Sequence, residues 1–154
     1  MASYNFSILS GYKNALDRLK AQIKVVSDDT PTQIFTDNNI FDYSHNLGVA
    51  VSNANFPLCI LKVTSEEMKS ESRQNSNLVI EMFQLFNNQD KDFYIELNQI
   101  VSTFRKTFAE TYRGEFVVTN IERDEIPSEL NANLNKFKPF WSVKYTIEYN
   151  NTKY

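Results

Sequence analysis

Trp141-Ser-Val-Lys-Tyr-Thr-Ile-Glu-Tyr149 alternates apolar and polar residues at every step. On extended backbone Trp141, Val143, Tyr145, Ile147 and Tyr149 share one face, and the intervening polar residues share the other. A lone strand cannot bury such a face, so this segment predicts a sheet built from strands upstream of it.

Working outward, Glu115 to Arg123 reads as the strand before it, and the polar connection Asp124 to Lys138, with Pro127 inside it and Pro139 after it, predicts a long hairpin arm. Phe56-Pro-Leu-Cys-Ile-Leu-Lys-Val63 is a nearly unbroken apolar run led by a proline, the pattern of a strand covered on both faces. Leu78 to Phe86 is a second bulky strand. The tract Thr64 to Asn77 between them is too polar for a core and predicts a projecting mobile loop or the tip of an extended hairpin. Gln33 to Thr36 and Ile40 to Tyr43 are short extended candidates separated by the turn formers Asp37-Asn38-Asn39.

Two segments carry helical periodicity. Leu9, Tyr12, Leu16, Leu19, Ile23 and Val26 recur every three or four residues, with Lys13, Asp17, Arg18, Lys20 and Lys24 on the opposite face. Phe93, Leu97, Ile100, Val101, Phe104 and Phe108 repeat the pattern between a capping Asp90 or Asp92 and the stop at Arg113-Gly114. The order of elements predicts one α+β domain over residues 1–154, a mainly antiparallel sheet with two amphipathic helices on one face.

A chain of 154 residues and 17.9 kDa suits a single core, and 42% hydrophobic with 14% aromatic content suits a folded one. The formal charge of −3 argues against a nucleic-acid or anionic-membrane binder held by bulk electrostatics. Lys136, Lys138 and Lys144 interleave with Phe137, Phe140, Trp141 and Tyr145, but strand alternation separates Lys144 from the aromatics beside it. No apolar run reaches membrane-spanning length, and the start Met-Ala-Ser-Tyr-Asn-Phe-Ser lacks the pattern of a signal peptide.

Chemistry-bearing residues are few. His45 is the single histidine and Cys59 the single cysteine, which excludes an internal disulfide and a histidine-rich or cysteine-rich metal site. His45 falls in a predicted turn, where its neighbour Ser44 would point away from it. Gly11, Gly48 and Gly114 are isolated, with no phosphate-cradling motif. The acidic pairs Asp28-Asp29, Glu66-Glu67 and Asp124-Glu125 lie beside turns without calcium-loop spacing and read as solvated charge. The residues therefore predict no catalytic group, no cofactor and no metal, and leave surface for protein contacts. Phe6, Ile8, Phe41, Phe86 and Phe140, near element ends, are candidates either for sealing subunits together or for the core.

The helix Leu9 to Val26, the proline-led strand Phe56 to Val63, the hairpin into Leu78 to Phe86, the helix Asp92 to Tyr112 and the closing strand Trp141 to Tyr149 together resemble the tail terminator and head-to-tail joining proteins of long-tailed bacteriophages. The resemblance spans nearly the whole chain and rests on element order. It implies a non-enzymatic virion protein of the tail-neck region, assembled in the host cytoplasm into a ring, commonly of six subunits. Such a ring caps the tail tube protein and meets a head-completion or neck protein, with DNA only passing through its lumen and no membrane involved. It implies arm or lumen positions for Glu66, Glu67, Glu71, Asp124 and Glu125, where acidic charge would repel passing DNA. The alternatives are another neck or tail-tube ring component, or a non-viral monomeric domain that binds proteins or hides an unsignalled enzyme pocket.

Overall fold

The computed structural model describes residues 2–28, 35–43, 47–52, 56–70, 75–88, 90–111, 116–135 and 140–151. The chain runs α1 (Ala2–Ser27), β1 (Ile40–Asp42), α2 (Leu47–Ser52), β2 (Leu58–Ser70), β3 (Asn75–Phe86), α3 (Phe93–Thr111), β4 (Phe116–Arg123), a 3-10 turn (Ser128–Leu130), α4 (Asn131–Leu134) and β5 (Trp141–Asn151). The strands form one sheet in the order β1-β2-β3-β5-β4. The fold is α+β, and the strand that closes the pattern in the sequence is an inner strand of the sheet, between β3 and the edge strand β4.

Four of the five strands are antiparallel neighbours, while β1 pairs parallel with β2 through Ile40–Asp42 against Cys59–Leu61. The sheet is therefore mixed, with its parallel pair at one edge. Residues 37–39 make the expected turn into β1, with the Asn39 amide donating to Thr36 O at 3.0 Å. Of the extended candidate Gln33 to Thr36, residues 33–34 lie outside the described residues. Phe35 is buried but outside any strand; its ring packs edge-on to Phe86 and Phe104 at centroid distances of 6.0 and 6.1 Å.

The principal core lies between one face of the sheet and the two long helices. α1 contributes Ala15, Leu19, Ile23 and Val26, and α3 contributes Phe93, Leu97, Ile100, Val101, Phe104 and Phe108. Both helical stripes face the same layer: Leu78, Ile80, Met82 and Phe86 of β3, and Val143, Tyr145, Ile147 and Tyr149 of β5. The apolar face of the closing strand is thus the floor of this core, and Phe104 reaches Tyr145 at 6.1 Å between ring centroids. Ion pairs lock α1 to the segment leading through β1, Lys20 to Asp42 at 2.8 Å and Lys24 to Asp37 at 2.7 Å. Lys24 donates to the Asp37 carboxylate and holds it below its usual range.

The opposite face carries a second, smaller core. Leu58 and Ile60 of β2 and Phe83 and Leu85 of β3 point there and meet Leu47 and Val51 of α2 with Leu130 and Leu134 of the 124–135 connection. This explains the unbroken apolar run of β2, whose Cys59 and Leu61 join the first core while Leu58 and Ile60 join the second. It also corrects the expectation of a second projecting arm. The connection after β4 folds beneath the sheet because Leu130 and Leu134 supply an apolar spacing of four residues that a hairpin arm would leave in water. Gly48 permits the approach of α2 to α4, since a Cβ there would stand 3.0 Å from the Asn133 side chain, which itself donates to Ser52 Oγ at 3.3 Å.

Candidate functional site

The long polar feature of the sheet is the hairpin of β2 (Leu58–Ser70) and β3 (Asn75–Phe86). Its last row with described buried side chains is Glu66–Leu78–Tyr149–Phe116, in which Leu78, Tyr149 and Phe116 are buried. Beyond that row the ladder continues through Glu67↔Asn77, Met68↔Ser76 and Ser70↔Asn75, and β5 follows only as far as Asn151. At about 3.3 Å per residue, Glu67 to Ser70 carries the backbone roughly 13 Å past that row. The predicted hairpin across the polar tract is thus present, as strand for much of its length.

Two strands of the sheet, β2 and β4, carry bulges. The register of β2 against β3 shifts between Val63 and Ser65 and again between Met68 and Ser70; that of β4 against β5 shifts between Val118 and Asn120. The first and third bulges each place a threonine at the extra position. Thr64 Oγ1 donates to Val79 O at 3.2 Å and Thr119 Oγ1 donates to Thr146 O at 3.3 Å, filling the gap in the ladder. Such kinks discourage indiscriminate edge-to-edge pairing. Among the described residues β1 covers β2 only at Cys59–Leu61, so the outer edge from Lys62 to Ser70 is open, as is that of β4.

The two open edges are staggered. Through the ladders, Phe116 of β4 stands level with Glu66 of β2, and Arg123 stands level with Cys59. Only Lys62–Glu66 is therefore both open and level with β4, and the Thr64 bulge interrupts it.

The second face of the sheet is divided. The part below α2 and α4 is apolar, whereas the part toward the hairpin shows Val79, Glu81, Val117, Lys144, Thr146 and Glu148, all half-buried. Lys144 stands between Glu122 at 3.1 Å and Glu81 at 3.5 Å. Its hydrogen bond to Glu122, with Glu81 alongside, holds the ammonium above the usual lysine range. The expected separation of Lys144 from Tyr145 onto opposite faces is what the strand does. At the boundary of the apolar part, Lys62 sits 4.7 Å above the Tyr43 ring and 3.6 Å from Glu129. Burial, followed by a hydrogen bond to Glu129, raises the Tyr43 phenol.

Of the acidic candidates, Glu66 and Glu67 belong to β2, at the Leu78 row and the first beyond it. Glu71 lies outside the described residues. Asp124 and Glu125 are exposed at the opposite end of the sheet, where Asp124 adopts a left-handed φ of 61° and its amide closes the β4–β5 ladder on Ser142 O at 2.9 Å. The structure thus sets Glu66 and Glu67 apart from Asp124 and Glu125 along the strands. Phe86 is core; Phe41 and Phe140 are half-buried against the second core, Phe140 with its ring 6.2 Å from Phe56. The side chains of Phe6 and Ile8, and the whole of His45, lie outside the described residues.

Cys59 is fully buried, and burial pushes its thiol far above the usual range. Tyr145 shares that interior, its phenol raised by burial and by the neighbouring thiol. Among the described residues no group of three or more His, Cys, Asp or Glu could hold a metal, and no helix is long and apolar enough to cross a membrane. Compared with known proteins, the chain matches no family model and none of the curated sequences.

Proposed function

We propose that this chain is a structural assembly protein that works by joining copies of itself and other proteins, as a ring of the tail-terminator or neck type in a long-tailed phage. The observation that carries the reading is the β2–β3 hairpin, which continues the ladder past the Glu66–Leu78 row with a predominantly polar sequence. A long polar hairpin of this kind suits contact with a neighbour. The stagger of the open edges and the Thr64 bulge favour a contact in which the hairpin lies across the next subunit, over a flat ring closed by strand pairing alone. In that ring the tail tube protein and a head-completion or neck protein are the partners, and Glu66, Glu67 and Glu71 belong to the contacting arm. Asp124 and Glu125, at the far end of the sheet, belong to the other rim or to the lumen.

Particles made with a chain in which residues 67–75 are replaced by a two-residue turn test the reading. The shortened protein keeps every buried residue of the two described cores, so it should fold, yet fail to join heads to tails. Labelled imaging of intact particles should place the full chain at the neck. Joined, infectious particles with the shortened chain would remove the arm's role, and label elsewhere would remove the assignment to the neck.

A further inference from the structure

We draw no further inference here: the strongest candidate, the exposed Tyr94–Ile95 pair in the first turn of α3, is an unpartnered apolar surface patch, and nothing in the structure shows what covers it.

Discussion

Gln84 is fully buried on the face of β3 that meets the long helices, between Met82 and Phe86 in the alternation and opposite Cys59 and Val143 in the ladders. Its Oε1 has no hydrogen-bond partner among the described residues, and its Nε2 reaches only Met82 Sδ at 4.0 Å. A buried carbonyl without a partner costs about 1–3 kcal/mol relative to water. Methionine copies the unbranched shape of glutamine without either polar atom, and repacking around a change of this size costs under about 1.5 kcal/mol. Gln84→Met should therefore stabilise the fold by about 1–2 kcal/mol, and a domain of this length gains roughly 2–4 °C in Tm per kcal/mol. Urea unfolding followed by the fluorescence of Trp141, the chain's single tryptophan, reads this directly. The midpoint should rise with the slope unchanged. A midpoint lowered by an amount equivalent to 1 kcal/mol or more would refute the reasoning, because it would mean that the glutamine amide is satisfied in the folded protein.

Three other outcomes follow from the same geometry. Cys59 should be inert to a disulfide reagent at pH 8 in the native protein and release its one thiol per chain in denaturant; rapid native labelling would contradict its burial. Leu134→Ala should cost about 2–5 kcal/mol and raise hydrogen exchange through 128–135 before it affects α3, whereas equal loosening of both would show that the two cores are one cooperative unit. The folded pKa of Lys144 is raised, so its ion pairs contribute stability fully below the unfolded lysine pKa of about 10.4, and that contribution is lost as pH rises through the higher folded value. Lys144→Met should remove this alkaline component of the pH–stability curve, and an unchanged curve would show that the pairs are too solvated to matter.

The sequence made the first core legible and left the second obscure. The alternation from Trp141 to Tyr149 and the helical stripes ending at Val26 and Phe108 are long repeats, and in the described part of the chain they meet one layer, with Leu16 and Trp141 only partly buried. α2 and α4 are six and four residues long, below the length at which a helix is stable without tertiary contacts. Their signal is only Leu47 with Val51 and Leu130 with Leu134, pairs four residues apart in polar surroundings. These pairs gain meaning once Leu58, Ile60, Phe83 and Leu85 are known to leave a second apolar patch. The parallel pairing of β1 was likewise hidden, because three residues carry no direction. Of the candidate surface, the polar hairpin was readable from composition. The bulges at Thr64 and Thr119 and the stagger of the edges were not, since register is fixed between strands and leaves no periodic mark within one.

Sedimentation of the purified full chain across a range of concentrations reads self-assembly from its mass alone. Self-assembly through the hairpin predicts one discrete closed species at a whole multiple of the 17.9 kDa chain, six copies being the expected number, which the chain shortened at 67–75 fails to form. A full chain that stays at 17.9 kDa at the highest attainable concentration would contradict it.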